Sequence, residues 1–337
     1  MQKLSIFDYV KTDILEAIVI IFILSLSSAC EKTEYDLLDT ESAGVWKLYN
    51  TTTGLPSNQI KDIELDDSGN LWVAFSANGV GKLEDDSWSF YVSANSPIVN
   101  NSVTSLESGR NGSMIIGTEN GLSYISATGQ WSSYKDPLLA TMQINCIRTI
   151  SNGTTWIGTQ DQGYYLDDGS DYTQVRVTPF TNINAIEGDS RGNVFLGTDI
   201  GLLKWDGSAM TTYTTANGLP DNDVRALFYD SSDKLWIGTS VGQTVSYLDD
   251  MGFHRVSLMN STPGTTVEDI HEDENGDIWF ATRLGGLIRY DGVISHSYKV
   301  YNGFFENDVT CISEDADGNL WFGLYSKGLV KYTLPIK

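Results

Sequence analysis

Polar and apolar positions along this chain form one phrase that returns seven times. A short polar turn such as Asp66-Asp67-Ser68-Gly69-Asn70 runs straight into an apolar run, Leu71-Trp72-Val73. Asp230 to Trp236, Asp273 to Trp279 and Asp315 to Trp321 repeat it. With Trp72 as position zero, the equivalents are Ile115, Trp156, Phe195, Trp236, Trp279 and Trp321, spaced by 39 to 43 residues. Position −12 is always β-branched (Ile60, Val103, Ile144, Ile183, Val224, Val267, Val309), and position −9 is always Ile or Leu. A period of about 40 residues is that of a propeller blade built from four strands.

Each copy reads mechanically. Strand A covers −12 to about −7. A tight turn follows, with Gly at −3 in six copies and Asp233 in the remaining one, which suits a position of positive φ. Strand B is apolar on both faces around the anchor, as expected where sheets stack on each other. Position +2 is Gly or Ala throughout, and +3 is Thr in five copies. Strand C follows a Gly-containing connection, as in Gly201-Leu202-Leu203-Lys204-Trp205, and strand D is short and aromatic, as in Trp88-Ser89-Phe90-Tyr91. The last copy stops after strand C, while a D-like strand, Val45-Trp46-Lys47-Leu48-Tyr49, stands alone at the other end. The expected fold is all-β: a single seven-bladed propeller of four-stranded antiparallel blades over residues 44–337, with the N-terminal strand completing the last blade.

Before that domain, Ala17 to Leu26 is an apolar run of ten residues broken only by Ser25, half the length of about 20 that a spanning helix needs. With Ser27-Ser28-Ala29-Cys30 after it, the segment resembles a bacterial lipoprotein signal. Residues 1–29 are then a signal peptide, Cys30 the lipidated residue and 30–43 a polar tether, with a short uncleaved anchor or a plain signal peptide as the alternatives. The expected location is the bacterial cell envelope, on the periplasmic side or the cell surface, with contact to the membrane only through the lipid.

The formal charge is −23, from 21 Lys and Arg against 44 Asp and Glu, and no basic stripe interrupts it, so nucleic acid is excluded as a partner. Cys146 and Cys311 both fall at −10, on innermost strands three or four blades apart, too far for a disulfide. The Asp-rich turns carry oxygens of the kind calcium uses, but no copy supplies a distal bidentate Glu. They are read as Asx turns, and no cofactor is expected.

Alternating strand direction puts the A–B and C–D turns at one end of the ring, and the B–C turns and D–A crossings at the other. The A–B turns repeat; the B–C positions +4 to +6 do not. These read Ser76, Glu119, Gln160-Asp161-Gln162, Asp199, Ser240, Arg283 and Tyr325-Ser326-Lys327. The crossings add Asn58, Asn100-Asn101, Asn182, Asn222-Asp223, Phe304-Phe305 and Asn307-Asp308. Amides, carboxylates and rings suit a hydroxyl-rich ligand. Arg283 and Tyr325 lead the candidates, being bulky and unique at +4, followed by Lys327, Asp199, Glu119, Asp161, Asn182, Asp223 and Phe305. Of three histidines, only His271 lies on an innermost strand, and a lone strand histidine is more often structural. No catalytic set is assembled from these residues.

Gly218-Leu219-Pro220 before Val224, Asp315-Ala316-Asp317-Gly318-Asn319-Leu320-Trp321, and the Gly-Leu of strand C together resemble the two-component regulator propeller repeats. These belong to extracytoplasmic sensor regions of Bacteroides-type hybrid histidine kinases. The resemblance covers residues 45 to 333 and implies recognition outside the cytoplasm, often of glycans. The expected function is a monomeric, lipid-anchored sensor-type propeller, without its own kinase, that takes a glycan or peptide on the B–C/D–A face. A polysaccharide lyase or glycoside hydrolase using that face is the enzyme alternative. A platform for a protein partner, including a membrane protein, is the third. Streptogramin lyases share the seven-bladed form but use a His and Glu set with a metal, which these residues do not supply.

Overall fold

The computed structural model describes residues 44–133, 139–168, 172–175, 181–240, 244–258 and 265–334, all within one compact unit, Asp39–Lys337. The signal-type segment, Cys30, the tether up to residue 43, and Tyr134 lie outside the described residues. Seven four-stranded antiparallel sheets follow one another, each in the order A-B-C-D. The A strands are Ile60–Leu65, Val103–Ser108, Ile144–Thr149, Ile183–Gly188, Val224–Tyr229, Thr266–Glu272 and Val309–Glu314, in blades 1 to 7. Each packs on the A strand of the next blade, and blade 7 packs back on blade 1.

Two sequence regularities prove to be one contact. The side chain at −12 of each blade lies against the residue at +2 of the blade before it. A Cβ built on Gly117, Gly158, Gly197, Gly238 or Gly323 would come within 2.6–2.8 Å of Ile144, Ile183, Val224, Val267 or Ile60 respectively. All five of these −12 residues are buried. Real Cβ atoms do not approach so closely, so a small residue at +2 sets the spacing between blades. Ile60 against Gly323 is the same contact closing the ring.

The A–B turns are held by their aspartates. Asp66, Asp189, Asp230, Asp273 and Asp315 each accept backbone N–H bonds through Oδ1 from the residues two and four positions on. In four of these turns Oδ2 also accepts the indole N–H of the anchor: Trp72 at 3.0 Å, and Trp236, Trp279 and Trp321 at 2.8 Å. Asp233 takes φ +60° where the other copies have Gly. In blade 3 the aspartate is replaced by Ile150, and the indole N–H of Trp156 is buried without a partner. The contrast gives a prediction. Trp236→Phe strips the buried Asp230 of a donor, whereas Trp156→Phe removes an N–H that bonds to nothing. The first should cost about 1–3 kcal/mol more than the second in urea denaturation; equal costs would show that the indole bond adds nothing.

The ring closes as the sequence implies. Strand D of blade 7 is Val45–Tyr49, pairing with Leu329–Thr333 from Val45↔Thr333 to Tyr49↔Leu329. Trp46 is buried there, stacked on Tyr332 with ring centroids 4.2 Å apart. Tyr298, Phe304 and Phe322 surround it at 5.5, 5.6 and 5.9 Å.

Candidate functional site

Every A strand carries the same irregularity: pairing with strand B slips by one residue between −12 and −10, from Ile60/Asp62 in blade 1 to Val309/Cys311 in blade 7. The extra residue is always −11, and such a bulge re-aims its side chain. Here it brings both −11 and −10 to the axis. Position −11 holds Lys61, Thr104, Asn145, Asn184, Arg225, Glu268 and Thr310, polar in every blade.

These seven residues line a cavity of about 380 Å³, joined by Gln143 and Asn182 from the crossings and Gln160 from a B–C turn. Their positions place the opening at the B–C/D–A end. Some also tie blades together: Asn184 Nδ2 donates to the Val224 carbonyl at 3.0 Å, and Thr310 Oγ1 to the Ile60 carbonyl at 3.1 Å. Arg225 is held by Asp223, with Nε 2.7 Å from Oδ1.

An axial cavity of about 450 Å³ takes in the same ring and continues past −10 to −8. The −10 side chains are small or acidic. Asp62 accepts the Leu106 N–H of the next blade at 2.7 Å, and Asp269 accepts that of Ile312 at 2.8 Å. Although some of its surface meets the cavity, Asp62 is enclosed by protein, and burial pushes its carboxyl up to about 7 against the pull of that bond. Asp269 is pushed up to about 6 for the same reason.

At −8 a cation sits among acids. Arg148 Nη2 is 3.0 Å from Glu187 Oε2, and Nη1 is 3.9 Å from Glu107 Oε2. Burial raises Glu107 to about 7 and also raises Glu187 and Glu64, while Arg148 pulls all three back. Burial disfavours the charge on Arg148, but Glu187, Glu107 and Glu64 keep it protonated. His271 Nε2 lies 3.0 Å from Glu314 Oε2 of the next blade, not on its sequence neighbours Glu268 or Glu272. Cys146 and Cys311 are free thiols whose pKa burial raises, which makes them poor nucleophiles. Among the described residues, no group of three or more His, Cys, Asp or Glu is arranged to hold a metal ion.

The sequence-derived candidates fall on the expected end but spread across it. Asn182 lines the mouth. Asp199 accepts from Thr181 Oγ1 and from Asn182 Nδ2, and the Asp161 N–H donates to Asn182 Oδ1 at 3.2 Å, so both position Asn182. Asp223 acts on the mouth through Arg225. Arg283, Tyr325, Lys327, Glu119 and Phe305 are not among the residues lining it. Tyr325 is 47% exposed, close in sequence to Lys327, whose N–H donates to Glu306 at 3.1 Å, and Phe305 sits edge-on to Phe304 at 5.7 Å. The crossing asparagines have structural work: Asn58, Asn101, Asn222 and Asn307 each accept a backbone N–H seven or eight residues upstream at 2.8 Å. Sequence reasoning passed over the −11 ring. Its signal was a position polar in all copies between apolar −12 and −9.

Residues 54–77, 218–241 and 303–326 match the family described as two component regulator propeller. Three of the seven blades carry two component regulator propeller repeats. Each matched segment runs from the glycine of a D–A crossing through strands A and B to the B–C turn, so the repeat itself contains the bulge that builds the mouth. No curated protein matches the chain at a significant level. The fold is shared with the extracellular domain assigned to a hybrid two component system of B. thetaiotaomicron, at TM-score 0.72 and 19% identity over 85% of this chain. A second such domain from that organism gives TM-score 0.70 and 16% identity over 86% of this chain. This propeller spans 41% and 39% of the length of those two chains. A catalytically inactive virginiamycin B lyase from Staphylococcus aureus with quinupristin aligns over 87% of this chain and all 100% of its own, at TM-score 0.71 and 17% identity. Among the described residues, no helix is long and apolar enough to cross a membrane.

Proposed function

We propose that this protein is an extracytoplasmic ligand-binding propeller of the sensor type, held at the cell envelope by a lipid on Cys30, and that its ligand, a glycan or peptide, sits in the axial mouth. The observation that carries this reading is the −11 ring. Seven structurally equivalent positions converge on one cavity of about 380 Å³ with five different polar residue types. Different groups at different azimuths suit an asymmetric ligand. The two component regulator propeller repeats support the sensor reading, since the similar B. thetaiotaomicron domains are extracellular parts of signalling proteins. Arg283, Tyr325 and Lys327 then form an outer rim that a longer ligand reaches.

Asn145 and Gln160 test this, because both line the mouth and neither carries an interblade bond among the described residues. Glycan and peptide mixtures that raise the melting temperature of the wild type should lose that effect in Asn145→Ala/Gln160→Ala, with the ligand-free midpoint unchanged. A ligand at a hundred times its Kd stabilises by about 2.7 kcal/mol, which a thermal shift assay resolves. A full response in the double variant would move the ligand elsewhere. New reducing ends or unsaturated products in the mixture would favour the lyase or hydrolase reading.

A further inference from the structure

The charges in the mouth define its ligand more narrowly than the fold does. Among the described residues, three charged side chains line it: Lys61, Arg225 and Glu268. Arg225 is already closed by Asp223 at 2.7 Å. Lys61 and Glu268 have no hydrogen bond or ion pair among the described residues, although Glu268 feels Lys61, Arg225 and Arg283 at a distance. They sit on blades 1 and 6, on either side of Thr310 of blade 7. The opposite arc, Thr104, Asn145 and Asn184, is neutral.

A protein of net charge −23 disfavours anions approaching from solution, so a polyanion gains little from one ammonium. One carboxylate placed on Lys61 is a different case. It replaces water on an unpaired ammonium at the open mouth of the cavity, and a charge-assisted bond is stronger than a neutral one. Glu268 sets the second condition. A ligand that brought only negative charge would be repelled by it, so the ligand must also present a hydrogen-bond donor on that side. Asn145, Gln143 and Gln160 supply amides for further hydroxyls or peptide groups.

Resting on the reading of the mouth as the ligand site, we propose that the ligand carries a single carboxylate, bound by Lys61, and a donor group, ammonium or hydroxyl, bound by Glu268. An acidic sugar with free hydroxyls and a short peptide with free termini both present this chemistry, and the test separates them.

The full chain would be titrated calorimetrically with three pairs of probes: glucuronate-ended oligosaccharides and their carboxyl-reduced forms, di- and tripeptides with free and amidated C-termini, and the same peptides with free and acetylated N-termini. In the first two pairs the member with the carboxylate should bind and its partner without one should not, and in the third the peptide with the free ammonium should bind more tightly. Lys61→Gln should weaken that binding at least ten-fold and remove most of its salt dependence. Glu268→Gln should weaken peptides with a free ammonium more than sugars, which identifies the source. Equal binding with and without the carboxylate, unchanged in Lys61→Gln but lost in Asn145→Ala/Gln160→Ala, would overturn this inference and leave the mouth as the site. Binding that survives Asn145→Ala/Gln160→Ala would overturn both.

Discussion

Trp46→Ala should lower the stability of the propeller by about 3–5 kcal/mol, the usual cost of deleting a buried aromatic side chain. The position is unusual because its strand comes from the opposite end of the chain to the three it completes. Trp46 is 6% exposed, and it fills the space between Tyr332 and Phe322 of blade 7 and Tyr298 of blade 6. Without it, Val45–Tyr49 loses the side chain that anchors it, and its backbone pairing to Leu329–Thr333 opens more readily. Strand C of blade 7 then becomes a frayed edge able to pair with another molecule. The variant should therefore show both a lower urea midpoint and concentration-dependent association. Trp88, on strand D of blade 1, is the control: it is only half-buried, and its alanine variant should cost less than half as much. Equal effects at the two sites would mean that ring closure has no special weight.

Arg148→Met should destabilise by about 2–4 kcal/mol at pH 8 and by much less at pH 5. Removing one partner of a buried ionic cluster leaves uncompensated charge, typically at a cost of about 3–5 kcal/mol. The lower figure allows for the partial solvent access of Arg148, whose side chain is 41% exposed to the cavity. The pH dependence follows from the direction of the shifts. Asp62 and Glu107 are raised to about 7 and Asp269 to about 6 by burial, so between about pH 4 and 7 the folded state holds protons that the unfolded chain has released. Unfolding then releases protons, and stability falls as pH rises through that window. The wild type should thus gain about 2–4 kcal/mol on going from pH 8 to pH 5. Asp66 and Asp315 act oppositely, since hydrogen bonds to their turns and indoles lower their pKa despite partial burial. Their contribution is present above the ordinary aspartate range and disappears below it, so stability should peak near pH 4 to 5. Urea titrations at pH 4, 5, 6.5 and 8 measure both curves, and a wild type most stable at pH 8 would contradict the assignment of the axial acids.

The blades were legible because their determinants are local or strictly periodic. The −12 side chain and the small residue at +2 lie 14 residues apart in every copy, and the turn aspartate and the Trp anchor, in the copies that have them, lie between the two. The closing strand was legible because Val45–Tyr49 is an unpaired copy of a repeated element. The mouth was not, for a geometric reason. In a regular strand, neighbours point to opposite faces, so −11 and −10 cannot both face an axis. The bulge suspends that rule, and nothing in the residues at −12 to −10 announces it. Pairings such as Arg148 with Glu187, or His271 with Glu314, join residues about one repeat apart and have no local sequence signal. The crossing asparagines mislead in the other direction, since an amide that staples a loop and an amide that binds a sugar are the same residue in sequence.

Strand direction in the closing blade also sets where the chain enters the ring. Val45 pairs with Thr333, the last residue of strand C, so the chain joins the ring at the end that carries the A–B and C–D turns. The mouth opens at the other end. The chain therefore enters the ring at its floor, on the side away from the mouth.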